Sequence, residues 1–176
     1  HIIKEILLGN TTLYEYFLDR YGQQVFVLVD RIVSCQEDAE ELTQDVFIKV
    51  FRQLSSFKEE SSFSTWIYRI ATNTALSPAR EKKHDTINIE DNAYGDIPDE
   101  QLDEALDNDS EEQLQRLSEA IDRLNAEERA LITLYYMNER PIEEVATIMG
   151  LTQSNVKIKL YRTRKKLYLL LNDRKL

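Results

Sequence analysis

The amino-acid sequence predicts an all-α protein made of two small helical domains joined by an acidic linker. Apolar residues recur at helical spacing through most of the chain, which has only 4 Gly and 3 Pro among 176 residues. The acidic residues are concentrated between the two helical parts. We therefore predict domains over residues 1–84 and 113–176, and a linker over residues 85–112.

The net charge of −10 is distributed unevenly along the chain. Residues 85–112 contain 12 acidic and no basic side chains, whereas residues 113–176 contain 12 basic and 8 acidic ones. Like charges keep a segment extended and solvated, so we predict a flexible linker. Because the C-terminal part is basic, the acidity of the whole chain does not argue against nucleic-acid binding.

The composition argues against several classes of function. No apolar run has the length of a membrane span, and the single cysteine excludes an internal disulfide and fits a reducing cytoplasm. Two histidines and one cysteine cannot form an ordinary structural zinc site. No phosphate-binding loop or nucleophile motif is present in the sequence. We predict a cytoplasmic protein that is not an enzyme by itself and that uses no cofactor or metal.

The first predicted domain is a series of amphipathic helices. Its first three helices are marked by Leu13 with Phe17 and Tyr21, by residues 25–33, and by residues 37–54. The third has the strongest apolar stripe, formed by Ala39, Leu42, Val46, Phe47, Val50, Phe51 and Leu54. Its polar face carries Asp38, Glu41 and Asp45 near the start and Lys49 and Arg52 near the end. That order suits the helix dipole, and docking to a partner protein is the alternative interpretation.

A fourth helix is predicted after a short polar loop at residues 61–65, with Ser62 or Ser64 capping its first turn. Trp66, Ile67, Ile70 and Ala71 mark its buried side. The other side carries Tyr68, Arg69, Asn73 and Arg80. Aromatic, amide and guanidinium groups together are suited to holding unstacked bases and single-strand phosphates. The alternative, that the aromatic residues are core and the polar ones merely solvated, stays open.

Residues 141–171 predict a helix-turn-helix. Val145, Met149, Val156 and Leu160 have the spacing of two short helices packed across a tight turn. Gly150 is placed to end the first helix, and Thr152 is placed to cap the second. The second helix is rich in basic residues, namely Lys157, Lys159, Arg162, Arg164, Lys165 and Lys166. Such a helix suits the DNA major groove, and an ordinary helical hairpin with a solvated basic face is the alternative.

If this second helix binds DNA, its N-terminal end is expected to reach base edges and its later residues to meet phosphates. The candidates for base contacts are Gln153, Ser154, Asn155 and Lys157. The candidates for phosphate contacts are Arg162, Arg164 and Lys165. Thr152 and Lys159 complete the predicted DNA-binding set.

Two stretches of the sequence resemble regions of bacterial RNA polymerase sigma factors. DAEELTQDVFIKVFRQLSSF followed by FSTWIYRIATNTA is similar to region 2. LNAEERALITLYYMNERPIEEVATIMGLTQSNVKIKLYRTRKKL is similar to region 4. Both stand in the order that the family shows, with no room between them for a separate region 3 domain. The chain therefore resembles the extracytoplasmic-function group of these factors (group 4).

This resemblance implies functions for each part of the chain. Docking on the clamp helices of the polymerase β′ subunit is expected at Asp38, Glu41, Gln44 and Asp45. Recognition and melting of the minus-ten element is expected at Ser61, Ser64, Thr65, Tyr68, Arg69, Asn73 and Arg80. A flipped base is expected to bind near residues 61–65. The second helix of the helix-turn-helix is expected to read the minus-thirty-five element as duplex DNA.

The resemblance also implies partners. They are the RNA polymerase core, through its β′ clamp helices and β flap, promoter DNA, and an anti-sigma factor. The chain itself is not expected to insert into a membrane, although an anti-sigma factor could hold it at the inner membrane. Pro78 departs from the family pattern. Because proline lacks an N–H and clashes with the preceding helical turn, we expect a disturbance of the helix before Arg80, Lys82 and Lys83.

Two other classes of function stay as alternatives. A helix-turn-helix regulator with a helical effector domain would bind duplex DNA without polymerase, and would not need the aromatic loop at residues 57–68. A helical adaptor that binds only protein would not need eight basic residues in 154–176 against one acid, Asp173. For the free protein a solvated flexible tether is the simpler expectation. The alternative is that region 2 or the acidic segment folds back on region 4 and covers the basic helix.

Overall fold

The computed structural model describes residues 1–81 and 111–172, with the backbone alone for residues 78–81. These residues form helices and short connections with no β-strand among them, which confirms the predicted all-α class. The N-terminal part consists of α1 (Ile2–Leu7), α2 (Glu15–Val33), α3 (Gln36–Gln53) and α4 (Phe63–Glu81). The C-terminal part consists of α5 (Glu111–Asp122), α6 (Ala126–Ile132), α7 (Ile142–Met149) and α8 (Gln153–Asn172). Short 3₁₀ turns lie at Thr11–Tyr14 and Leu54–Ser56, and a π-helical turn at Thr133–Met137 continues α6.

Residues of the predicted linker lie mostly outside the described part of the chain, since 85–110 are not described. Glu111 and Glu112, the last two residues of that predicted linker, already belong to the first turn of α5. Acidic side chains are favourable at a helix N-terminus, so this pair suits a helical start as well as a linker end. In the described ranges, no helix combines the length and apolarity that a membrane span requires.

The two helices predicted over residues 13–33 are in fact a 3₁₀ turn followed by one helix, α2. Its buried residues Phe17, Val25, Leu28 and Ile32 keep a spacing of three, four or eight, so they share one face without a break. The helix ends at Ser34, which adopts a left-handed conformation with φ 54° and donates its N–H to the Asp30 carbonyl at 2.8 Å.

Three helices, α2, α3 and α4, pack on one another and form the core of the N-terminal part. Buried side chains from all three meet there, for example Leu28, Val46 and Ile67. Ala71 and Ala75 of α4 are also fully buried, and their small size lets the helices approach closely. Each large apolar side chain buried in this way stabilises the fold by roughly 1.5–3 kcal/mol.

Helix α4 begins where the sequence predicted. The Ser62 hydroxyl accepts a hydrogen bond from the Thr65 N–H at 3.1 Å and so caps the first turn. The helix continues past Pro78 to Glu81, so the disturbance expected before Arg80 does not end it. Pro78 stands in the last described turn, after the buried positions that anchor the helix. The side chain of Arg80, and Lys82 and Lys83 altogether, lie outside the described residues.

The predicted helix-turn-helix is formed by α7 and α8. Gly150 ends α7 in a left-handed conformation with φ 67°, and the Thr152 hydroxyl accepts a hydrogen bond from the Asn155 N–H at 3.2 Å. Both local predictions are confirmed. Helix α6 starts with a capping box, in which Asn125 and Glu128 each accept a backbone N–H from the other at 2.9 Å.

The two helical parts pack against each other. Helix α4 contacts α7, and α2 contacts α6. The Arg129 guanidinium on α6 donates to the Ile32 carbonyl at the end of α2, at 2.6 and 3.2 Å. The fold-back that stood as the alternative is therefore present as a packing of one helical part on the other. It was wrong in detail, because the contact is made by α6 and α7 while the N-terminal half of the basic helix α8 stays exposed.

Candidate nucleic-acid interface

The outer face of α3 carries the predicted polymerase-docking residues. Glu41, Gln44 and Asp45 are exposed, and Asp38 is half-buried. The same face also exposes two apolar side chains, Ile48 and Phe51. The sequence placed Phe51 in the apolar stripe of α3, but the structure leaves part of its ring in solvent. The ring packs edge-on against Tyr14, with the two ring centroids 5.0 Å apart. The exposure of Ile48 was not predicted, although its position outside the apolar stripe of α3 was a signal for it.

Aromatic rings support the loop before α4. Phe63 stacks on Trp66 with ring centroids 5.7 Å apart, and Phe57 contacts both at 5.2 and 5.4 Å. Phe17 of α2 adds a contact to Phe63 at 4.5 Å. These rings therefore pack mainly on one another. Trp66 is also packed against the core, but both Trp66 and Phe57 are only half-buried, so the core assignment favoured for them is met in part.

Tyr68 was predicted to contact DNA, and the structure buries it. Its side chain is 2% exposed, and its hydroxyl donates to the Gln24 side chain at 2.9 Å. The guanidinium of Arg140, which precedes α7, lies over the ring at 4.6 Å from the centroid. In this conformation Arg140 covers one face of the Tyr68 ring by a cation–π contact.

The polar residues of the loop are held by the same part of the chain. Arg140 donates from Nη1 to the Ser64 hydroxyl at 3.2 Å and to Glu144 Oε2 at 3.0 Å. The Thr65 hydroxyl, which is buried, donates to Glu144 at 3.1 Å. Arg140 and Glu144 thus form a polar bridge from the start of α7 to the start of α4, and the loop is partly covered by it.

An exposed polar stripe remains on α4. Arg69 and Asn73 lie one helical turn apart, and both are exposed as predicted. Ser77 continues the stripe by one further turn and is also exposed. Sequence reasoning did not single out Ser77, although its spacing from Asn73 was the signal for it. The stripe offers one guanidinium, one amide and one hydroxyl to a ligand, while Ser61 is half-buried at the edge of the loop.

The N-terminal half of α8 presents the predicted DNA-reading residues to solvent. The predicted residues that are exposed there are Thr152, Gln153, Ser154, Asn155, Lys157, Lys159 and Arg162. Val156, Leu160 and Thr163 are buried on the opposite side. Lys159 forms an ion pair with Glu127 at 3.9 Å, and because both side chains are half-exposed its stabilising effect is small.

The C-terminal half of α8 is different. Lys165 is only 5% exposed, and its ammonium group lies 4.4 Å from the centroid of the Tyr161 ring. Lys166 is 3% exposed and pairs with Glu128 at 2.9 Å, so it belongs to the interior of the C-terminal part. Arg164 is half-buried. Hence the structure separates an exposed first half of the helix from a covered second half, which basic spacing alone did not indicate.

Comparison with known proteins matches both parts of the chain. The Sigma-70 region 2 family matches residues 17–84, and the Sigma-70, region 4 family matches residues 114–167. The ECF RNA polymerase sigma-E factor of Escherichia coli (strain K12) is 31% identical over 170 residues, covering 93% of this chain and 88% of that protein. The ECF RNA polymerase sigma factor SigW of Bacillus subtilis (strain 168) is 27% identical, covering 97% and 95%.

Solved structures share the fold. CnrH, in complex with the cytosolic domain of CnrY, has a TM-score of 0.68 at 20% identity, covering 99% of this chain and 97% of that one. The sigma factor RpoE of Bartonella quintana, in complex with the anti-sigma factor NepR, has a TM-score of 0.66 at 23% identity, covering 92% and 98%. With both regions matched in order and a relative above 30% identity over nearly its whole length, this chain belongs to the ECF RNA polymerase sigma factors.

Proposed function

We propose that this chain binds the RNA polymerase core and directs it to specific promoters, where it helps to open the minus-ten element. The polymerase performs the chemistry of RNA synthesis. One observation supports the proposal: the two helical parts expose surfaces of different chemistry. The N-terminal part has a polar stripe beside a loop braced by aromatic rings, and the C-terminal part has a basic helix-turn-helix helix. Single-stranded and duplex DNA need these two kinds of surface.

The outer face of α3 is the proposed docking site for the β′ clamp helices. Glu41, Gln44 and Asp45 supply negative and polar groups, and Ile48 with Phe51 supplies apolar area beside them. An apolar centre with a charged margin is the usual arrangement of a protein interface. None of these five side chains is buried in the closed packing of the two helical parts, so polymerase can engage this face first.

The minus-ten strand requires a change in the packing of the two helical parts. Arg140 and Glu144 bond to Ser64 and Thr65, and Arg140 covers Tyr68. A flipped base can reach that ring only after α7 has left α4. We infer that the closed chain docks through α3, that α7 then separates from α4, and that Tyr68, Ser64 and Asn73 become available together.

The proposal includes an anti-sigma partner. Of the two solved structures described above, one is a sigma factor in complex with an anti-sigma factor, and the other is CnrH in complex with the cytosolic domain of CnrY. A ligand that binds the closed packing better than the open one would hold the chain inactive, because a ligand shifts an equilibrium only by its difference in affinity for the two states.

Transcription from defined components tests the proposal. The purified chain is added to RNA polymerase core, and promoter-specific transcripts are sought on a genomic template library. Asn73→Ala is the informative variant, because Asn73 is exposed and its amide can both donate to and accept from a base edge. We expect normal core binding and normal duplex binding, but loss of thymine reactivity to permanganate in the minus-ten region.

Two outcomes would contradict the proposal in different ways. Normal permanganate reactivity with Asn73→Ala would show that this side chain is not part of the base-holding surface. Specific binding of duplex DNA by the chain alone, unaffected by core polymerase, would instead favour a helix-turn-helix regulator that acts without polymerase. A gel shift with and without core distinguishes these two cases.

A further inference from the structure

Ile158 is an exposed apolar residue in the middle of a basic surface. Its side chain is 49% exposed, although it lies on the same helix as the buried Val156 and Leu160. It is two residues from each of them, and two residues turn an α-helix by roughly 200°, so Ile158 points almost directly away from the core. About half of the isoleucine side chain is therefore offered to solvent and not to the core.

The neighbours of Ile158 indicate what covers it. Lys157 and Lys159 flank it in sequence, Asn155 precedes it by one turn, and Arg162 follows it by one turn; all four are exposed. The Tyr161 ring, 42% exposed and also one turn after Ile158, adds to the apolar part of this surface. A surface with cationic groups around a small apolar area suits a polyanion that has an apolar group at its centre. It suits an apolar protein partner poorly, because burying the surrounding lysines would cost their hydration.

Duplex DNA has that combination in its major groove. Phosphates line the groove, and the base edges at its floor carry hydrogen-bonding groups with a single apolar exception, the C5-methyl group of thymine. An aliphatic side chain placed between base-reading residues therefore distinguishes thymine from the other bases through that methyl group.

We propose that Ile158 reads a thymine methyl group in the minus-thirty-five duplex. This inference rests on the proposed function of α8 as the recognition helix. It adds a specificity-determining contact that is apolar, in contrast to the hydrogen-bonding contacts expected at Asn155 and Lys157. The contact gives discrimination by burial of a methyl group from water.

The test uses the full chain with RNA polymerase core. The reconstituted complex first selects binding sites from random-sequence duplexes. The selected duplex is then compared with copies in which one thymine at a time is replaced by deoxyuridine, a change that removes only the methyl group. At one position we expect affinity to fall about fourfold, the value for burial of one methyl-sized group.

The variant Ile158→Ala should bind the thymine and uracil duplexes equally, since it lacks the group that contacts the methyl. Val27→Ala is the matched control, because Val27 is also an exposed β-branched aliphatic residue, 37% exposed, on α2. It should keep the fourfold difference.

Three results would overturn the inference while leaving the proposed function intact: a selected site without thymine, a selected site where no uracil substitution weakens binding, or an Ile158→Ala variant that keeps the difference. Failure of the reconstituted complex to select any sequence would contradict the proposed function itself, and the inference with it.

Discussion

Arg129 links the two helical parts through a single side chain. Its guanidinium donates to carbonyls near the ends of two helices, Ile32 in α2 and Leu124 after α5, with a longer contact to Asp122. Carbonyls at a helix C-terminus lack partners within the helix and carry partial negative charge, so a buried cation is favourable there. Burial lowers the pKa of Arg129 below its ordinary value, yet the group stays charged at neutral pH.

Arg129→Met should therefore destabilise the fold by about 2–3 kcal/mol, because it keeps the aliphatic stem but leaves several partly buried carbonyls without a donor. Urea unfolding followed by circular dichroism measures the change. Arg116→Met is the matched control: Arg116 makes an exposed ion pair with Glu112 at 2.8 Å, and such pairs contribute about 0–1 kcal/mol. Equal effects of the two variants would contradict the assigned function of Arg129.

Two glycines give a second prediction at the scale of single residues. A Cβ atom added at Gly150 or at Gly22 would meet nothing within 4 Å, so neither substitution by alanine creates a clash. Gly150 has φ 67°, where alanine is strained, whereas Gly22 lies within the regular helix α2. Gly150→Ala should cost about 1 kcal/mol, and Gly22→Ala should stabilise by about 0.5–1 kcal/mol.

Thermal unfolding of both variants checks this pair. The midpoints should move in opposite directions from that of the unmodified chain. A loss of stability in Gly22→Ala would mean that α2 needs flexibility at that position, and an unchanged Gly150→Ala would mean that α7 can end without a left-handed residue.

Sequence pattern predicted single residues well where the cause is local. Ser62, Thr152 and Gly150 fix helix ends through bonds within three residues or through their own backbone angles, so their types reveal them. Tyr68 and Lys165 could not be predicted in the same way. Tyr68 is covered by Arg140, a residue 72 positions later in the chain, and helical spacing contains no information about such a contact.

At the scale of one element, the outer face of α3 gives a test of docking. Charge reversal of Glu41 and Asp45 together should weaken binding to RNA polymerase core by at least tenfold, because two favourable charge contacts become repulsive. The helical circular dichroism spectrum should not change, since both side chains are exposed. Titration of core polymerase with labelled chain measures the affinity.

Reversal of Glu15 and Asp19 provides the control. These residues are also exposed and one turn apart, but they lie on α2. The change in net charge is the same, so a purely long-range electrostatic effect would weaken binding equally in both double variants. Specific docking through α3 requires that only the first variant loses affinity.

Elements were predictable to the extent that one face of each is apolar. The helices of the helix-turn-helix follow from Val145, Val156 and Leu160, which the structure buries. The split of α2 into two helices was wrong because Phe17, Tyr21, Val25 and Leu28 continue one apolar face past Gly22, and the helix continues with them. On α3, Ile48 and Phe51 remain exposed, and the pattern could not predict this because apolar character alone does not distinguish a buried residue from an exposed one.

At the scale of the whole molecule, α4 packs on α7 within an apolar cluster that the two helical parts share, and polar contacts around Arg140 add to that packing. Its guanidinium contacts Ser64, Glu144 and the ring of Tyr68. One hydrogen bond and one cation–π contact across the two helical parts together contribute roughly 1–2 kcal/mol. Each 1.4 kcal/mol changes the ratio of closed to open molecules about tenfold. The apolar cluster shared by the two parts remains in either case.

Arg140→Ala should accordingly raise the open fraction of the free chain by about tenfold, and with it the affinity for any ligand that binds only the open form. Small-angle scattering should give a larger radius of gyration than for the unmodified chain. A single-stranded minus-ten oligonucleotide should bind the variant more tightly, although one cation has been removed. Arg123→Ala removes an exposed arginine from the same helical part, so it controls for the loss of charge. Its affinity for the oligonucleotide should be unchanged or slightly lower.

If Arg140→Ala also weakened binding of the oligonucleotide, and the radius of gyration did not grow, Arg140 would be a DNA contact in its own right and would not hold the closed packing.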